Sequence, residues 1–164
     1  MVRRWLIDCD PGMVDGVALY AALASEAVAV CGITTVYGNV PVRQATRNVA
    51  RVLARLERPP TLLIGEGAEQ PLTASRLPRR GLHGRDGLGD FHSIPVVPVP
   101  TPLPESTPLM RDLLTRNVLQ EIVALGPLTN LAHVFASAPT LLRRLRRISV
   151  MGGDVMGIGD PSAS

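Results

Sequence analysis

Asp8, Asp10 and Asp15 crowd three carboxylates into the stretch Leu6-Ile7-Asp8-Cys9-Asp10-Pro11-Gly12-Met13-Val14-Asp15, where an apolar run gives way to a helix-like one. Like charges held this close repel and raise one another's pKa unless a cation or hydrogen-bond donors offset them, so the spacing points to a bound metal ion. Ligands that are all oxygens favour Ca²⁺ or Mg²⁺ over zinc. Pro11-Gly12 supplies the turn that lets Asp10 and Asp15 converge, since proline fixes one backbone angle and glycine permits conformations other residues resist. The simpler alternative is an N-capped helix with solvated acids, but one cap needs one Asp and not three.

Positioning these carboxylates requires a strand that ends where the motif begins. Trp5 to Cys9 reads as that strand, Asp15 to Ala24 as a helix, Val28 to Val36 as a strand and Val42 to Leu56 as a helix. In the last of these, Ala45, Val49, Val52, Ala54 and Leu56 form an apolar stripe, and Arg43, Arg47, Arg51 and Arg55 form a basic row expected to be a solvated face. Thr61 to Ile64 reads as a short strand. A long Gly- and Pro-rich connection follows Gly65, and from Pro95 to Pro108 proline recurs too often for regular structure. Leu109 to Asn117 reads as helix, Leu119 to Leu125 as strand, Leu128 to Ser137 as helix and Arg147 to Met151 as a final strand. There is no internal repeat. The alternation predicts an α/β fold, a mainly parallel sheet with helices on both faces, and puts the acidic motif in the crevice where such sheets bind ligands. Asn39, Leu125-Gly126-Pro127 and Met151-Gly152-Gly153 follow other strands and share that edge.

Composition agrees with one globular domain of 164 residues, 46% hydrophobic. No apolar run reaches a membrane span and the amino terminus carries no cleavage site, so a cytoplasmic protein with no membrane partner is expected. Cys9 and Cys31 lie in apolar runs read as neighbouring buried strands, and as packed thiols they make no disulfide framework. The net charge of +3 comes from arginine, since the chain has no lysine. Its one dense cluster, Arg143-Arg144-Leu145-Arg146-Arg147, suits a helix carboxyl end. With 3% aromatic residues and no basic-aromatic interleaving, a nucleic-acid partner is not expected.

The acidic stretch resembles the signature of the inosine-uridine preferring nucleoside hydrolases, Asp-x-Asp-Pro-Gly-x-Asp-Asp, here Asp8-Cys9-Asp10-Pro11-Gly12-Met13-Val14-Asp15 with Val14 in place of the first paired Asp. The resemblance continues through Ile33 to Val40, Leu82-His83-Gly84-Arg85-Asp86-Gly87-Leu88-Gly89, Ala124 to Asn130 and Val150 to Gly153, in the family's order. It implies a Rossmann-like nucleoside hydrolase fold and Ca²⁺-dependent hydrolysis of the N-glycosidic bond of ribonucleosides to free base and ribose. The reaction passes through an oxocarbenium-like state attacked by water. By the same resemblance, Asp10 is the base that takes the proton of a calcium-activated water. Asp10, Asp15 and the Leu125 carbonyl hold the ion, and Asp8 supports the cluster. Asn39, Met151 and His83 face the substrate, while His92 and His133 are structural.

Family members are longer, and the resemblance implies a truncated chain. A second metal-binding Asp beside a His serving the leaving base, and an Asn-bearing ribose segment, have no counterpart before Ser164; Asp160 falls near the start of the next motif. A homo-oligomer or a complementing carboxyl-terminal chain is therefore expected. Val14 cannot accept hydrogen bonds from ribose hydroxyls, so a catalytically impaired remnant or non-enzymatic subunit is the alternative. Asp8-x-Asp10 after an apolar strand also resembles the nucleophile motif of haloacid dehalogenase-type phosphohydrolases, but Pro11-Gly12 fits the first signature better and no lysine is present to steady a phosphoryl group.

Overall fold

A computed structural model describes residues 2–56, 62–73, 83–91 and 102–152. Thr61, Leu82, His92, Gly153 and Asp160 lie outside them. The chain runs β1 (Arg3–Cys9), α1 (Met13–Ala24), β2 (Val28–Thr35), α2 (Val42–Leu53), β3 (Leu63–Glu66), α3 (Ser106–Thr115), β4 (Glu121–Ala124), α4 (Thr129–Ser137), α5 (Pro139–Leu142) and β5 (Arg147–Val150). All neighbouring strands pair in parallel, in the order β3-β2-β1-β4-β5. The strand order reverses between β1 and β4, and at this switch point the loops following the two strands part and leave a crevice.

Side-chain alternation along β1 sorts the core into two halves. Leu6 joins Leu109, Met110, Leu113 and Leu114 of α3 and Leu131 and Val134 of α4, whereas Ile7 and Cys9 join Leu19 of α1 and Val49 and Val52 of α2. Helices thus cover both faces. The β1–β2 register slips between Trp5 and Leu6, which pair with Val30 and Gly32 and leave Cys31 as a bulge. Cys31 is half-buried on the α3 side rather than fully buried as expected. Cys9 is buried, and burial pushes its thiol well above its ordinary pKa.

Further differences from the sequence reading concern the ends of α3 and one face of α2. Helix α3 begins at Ser106, so Pro108, read as irregular, sits inside the first turn, where a missing N–H costs nothing. It ends on a Schellman motif: Asn117 takes a left-handed φ of 54°, its N–H reaches the Leu114 carbonyl at 3.1 Å, and Val118 N–H reaches Leu113 at 3.3 Å. Arg51 leaves the solvated row of α2; it is only 6% exposed, while Arg43, Arg47 and Arg55 are exposed. Arg143, Arg144 and Arg146 are exposed between α5 and β5, and Arg147 is exposed as the first residue of β5. Among the described residues, no helix is long and apolar enough to cross a membrane.

Candidate active site

Strand β1 ends at Cys9 and delivers Asp10 into the crevice at the switch point, 4% exposed. The turn at Pro11-Gly12 then starts α1, whose third residue, Asp15, is equally buried and accepts the Gly12 N–H at 3.3 Å. This is one half of a capping box. Asp15 is therefore not an N-cap, and the motif's acids are not solvated. Asn39, past β2, joins the two carboxylates: its main-chain N–H donates to Asp10 Oδ2 at 2.6 Å, and its Nδ2 donates to Asp15 Oδ2 at 2.8 Å and to the Asp10 carbonyl at 3.3 Å.

Two glycines make room for this arrangement. A Cβ on Gly126 would lie 2.6 Å from Asp10 Oδ1, and one on Gly38 would run into Oδ2 of the same carboxyl. The carboxylate is thus boxed between the loops after β2 and β4. Its Oδ2 is held, while its Oδ1 is buried with no hydrogen-bond partner.

Burial pushes the Asp10 pKa up to about 8, against the Asn39 N–H, which lowers it, and with the Asp15 charge, which raises it further. Asp15 is raised too, again chiefly by burial, with the Gly12 N–H, Asp10, His83 and the Asn39 amide working against it. The pair holds a proton that solitary carboxylates would have lost.

Asp8 does not join them. Two residues earlier on β1, it points to the α3–α4 face, fully buried, where Oδ1 accepts from Thr34 Oγ1 at 2.7 Å and Asn130 Nδ2 at 2.8 Å. Burial raises it to about 7, with the Asn130 and Thr34 bonds resisting. The three-carboxylate cluster expected from the sequence is two carboxylates in the crevice plus one brace in the core, because Asp8 lies inside β1, packed against Thr34 and Asn130, whereas Asp10 lies past the strand's end in the turn toward α1. Asn130 also donates to the Thr35 carbonyl and accepts from Ala68 N–H, tying α4 to β1, β2 and the segment after β3.

His83 packs on the acidic turn, its ring 3.0 Å from where a Gly12 Cβ would be, with Nδ1 buried and unpartnered. The main chain at Leu125 passes beside the site, its N–H donating to the Asp8 carbonyl at 2.8 Å. Met151, just past β5, is 51% exposed; its N–H donates to the Ala124 carbonyl at 2.8 Å, outside the bonded cluster of Asp10, Asp15 and Asn39. His133 is exposed on α4, and Val14 is exposed at the start of α1.

A hard cation fits this donor set in part. The unpartnered Asp10 Oδ1 and the boxed carboxylate are what such an ion would satisfy. Among the described residues no three His, Cys, Asp or Glu side chains converge, so an ion would draw its remaining oxygens from main chain, water or substrate.

A doubly wound parallel sheet with paired buried carboxylates at its switch point defines an α/β protein with an acidic crevice at the sheet's carboxyl edge. The chain belongs to the inosine-uridine preferring nucleoside hydrolase family, whose model matches residues 5–164. It is 38% identical over 166 residues to the pyrimidine-specific ribonucleoside hydrolase RihA of Klebsiella pneumoniae (strain 342), covering 98% of this chain and 51% of that protein. It is also 37% identical to RihA of Salmonella agona, covering 94% and 49%. Among solved structures it is similar to an inosine-guanosine nucleoside hydrolase, with TM-score 0.83 and 28% identity over 100% of this chain and 52% of the other. A purine-preferring ribonucleoside hydrolase from Gardnerella vaginalis gives TM-score 0.81 and 28% identity over 93% and 49%. The chain spans about half the length of the curated relatives it matches. Family membership displaces the phosphohydrolase reading of Asp8-x-Asp10.

Proposed function

We propose that this chain takes part in calcium-dependent hydrolysis of the N-glycosidic bond of ribonucleosides, releasing free base and ribose. The observation that carries the reading is Asp10 Oδ1, a buried carboxylate oxygen without a partner at the switch point, whose twin oxygen is fixed by Asn39. Asp10 is the general base, its carboxylate held in orientation by the Asn39 N–H on Oδ2, and it takes a proton from an attacking water. Asp10, Asp15 and the Leu125 carbonyl would hold the Ca²⁺. When bound, the ion supplies positive charge that makes water a better nucleophile near neutral pH and holds the acids ionised. Asn39, His83 and Met151 provide the surface toward sugar and base, and Asp8 keeps β1 in place beneath the site.

Ca²⁺ takes about six to eight oxygens, and beside Asp10, Asp15 and the Leu125 carbonyl the rest come from main chain, water, substrate, or a second polypeptide segment or second copy of the chain, which is part of the proposal. Substrate choice stays at the level of the ribonucleoside, because the similar proteins carry names for pyrimidine, purine and inosine-guanosine hydrolases alike.

A second reading, a non-enzymatic subunit that keeps ion binding, is favoured by Val14, an apolar side chain 63% exposed beside the crevice. One experiment separates the two. Purified protein with millimolar Ca²⁺ and uridine or inosine is assayed for free base and reducing sugar, and calcium uptake is followed by calorimetry. Hydrolysis lost in Asp10→Asn by about a hundredfold or more supports the enzyme. Calcium uptake without hydrolysis supports the subunit, and absence of uptake refutes both.

A further inference from the structure

Helix α2 makes two buried polar contacts that a packing helix does not require. Asn48 is fully buried, and both hydrogens of its amide are spent on main-chain carbonyls: Pro11 in the acidic turn at 2.8 Å and Asp86 in the glycine-rich loop at 2.8 Å. Its Oδ1 accepts from Gln44 Nε2 at 2.9 Å, so two donors and an acceptor are all engaged. Three residues on, along the same face, Arg51 donates from Nη1 to Asp86 Oδ2 at 2.7 Å and from Nη2 to the Phe91 carbonyl at 3.3 Å. Its Nε is buried without a partner.

The loop so gripped is braced internally. Asp86 Oδ1 accepts the N–H groups of Leu88 and Asp90 at 2.8 and 2.9 Å, and Asp90 Oδ1 accepts those of Arg85 and Asp86 at 2.9 and 3.1 Å. The Gly89 N–H closes back on the His83 carbonyl at 2.7 Å. Gly87, with φ of 82°, is required twice over, because a Cβ there would also stand 2.9 Å from Asn48 Nδ2. Leu88 seats the loop on Gly16 of α1. A body this stiff moves as a unit, so the contacts that fix it to the fold decide where His83 stands. An ion pair between a buried Arg51 and a half-buried Asp86 adds little net stability over apolar packing; what it adds is geometry.

We propose that Asn48 and Arg51 are positioning residues: the Asn48 amide holds the acidic turn and the glycine-rich loop at a set separation, and the Arg51–Asp86 pair sets the loop's orientation, so that His83 is placed on Gly12 beside Asp15. The positioning stands on geometry alone; its effect on turnover rests on the nucleosidase reading.

The test uses the full chain with isotope-labelled histidine, in which three ring signals are expected and that of His83 is identified by its loss in His83→Gln. In an otherwise natural background, Asp15→Asn shifts the His83 signal and so reports their proximity. Arg51→Met and Asn48→Leu are expected to abolish that response. In the activity assay each is expected to lower kcat by about tenfold to a hundredfold. In a His83→Ala background each has less than about a twofold further effect, where a merely structural role would carry through. If the parent shows no hydrolysis, the nucleosidase reading fails and the spectroscopic result alone decides. A His83 response to Asp15→Asn that survives both substitutions overturns the proposal. Should Arg51→Met fail to fold, Asp86→Asn replaces it, and should Asn48→Leu fail, Asn48→Ser, which removes the same amide donors, replaces it. In the parent, the Leu88 and Asp90 amides are expected to exchange at least about a hundredfold slower than in a free peptide; unprotected amides there also overturn it.

Discussion

Asp8 allows a stability measurement free of any assumption about ligands. Its carboxyl is fully buried in the sheet, with Thr34 and Asn130 bonded to one oxygen and nothing bonded to the other, and burial lifts its pKa from the ordinary 3.8 to about 7. A folded-state pKa above the unfolded one means that the fold binds the proton more tightly. The stabilisation is therefore complete below about pH 4 and is lost as pH rises through 7. At roughly 1.4 kcal/mol per tenfold change in proton affinity, the loss is about 4 kcal/mol. That is a large share of the roughly 5–15 kcal/mol that holds a typical domain. Asp8→Asn keeps the oxygen that Thr34 and Asn130 use and resembles the protonated acid, so it removes the titration while leaving the shape. Urea unfolding of both proteins from pH 4 to pH 9 should give matching stabilities within about 1 kcal/mol at the acid end, with the variant drawing ahead by about 4 kcal/mol above pH 8. Asp10 and Asp15 titrate with the same sign in both proteins and cancel to first order. Parallel curves across the whole range would refute the reasoning, since they would mean that Asp8 ionises inside the fold at no cost.

Three other outcomes follow from the crevice. Because Asp10 is raised to about 8 by burial and by Asp15, a cation must displace a proton, and calcium affinity measured by calorimetry should weaken by up to about tenfold per pH step downward from 8 to 6, with proton release rising in parallel. Gly126→Ala places a methyl group 2.6 Å from Asp10 Oδ1 and 2.8 Å from Val36 Cγ1, so it should cost about 1–3 kcal/mol in thermal unfolding and weaken calcium uptake more than a Gly152→Ala control, where the nearest atom is 3.7 Å away. Val14→Asp restores the signature's missing acceptor at an exposed position; worth about 1.5–3 kcal/mol to a bound ribose, it should raise hydrolysis about tenfold to a hundredfold with little change in melting temperature.

Local chemistry made the architecture readable from the chain. The alternation of short apolar runs with helical stripes is a local pattern, and β1, β2, β4, β5, α2 and α4 fall within a few residues of where it puts them. The turn at Pro11-Gly12 is equally local, and so is the convergence of Asp10 and Asp15 that it produces. The edges of α3 were less legible: Pro108 signals a break wherever it stands, and only its place in a first turn makes it harmless.

Partners distant in sequence were settled by the tertiary structure. Asp8 stands only two residues before Asp10, yet it lies inside β1 and bonds to Thr34 and Asn130, 26 and 122 residues away, while Asp10 lies past the strand's end, so Asp8 is left out of the cluster its spacing suggested. Arg51 belongs to a regular basic row and differs from Arg47 only because the glycine-rich loop brings Asp86, 35 residues away, against that one face of α2. Asn48 gives no sign in the sequence that its amide joins two loops. Side-chain period and backbone permissiveness act over a few residues and are written into the chain, whereas burial, the pairing of charges and the pKa values they set depend on which surfaces meet, and only the packed sheet and helices decide that.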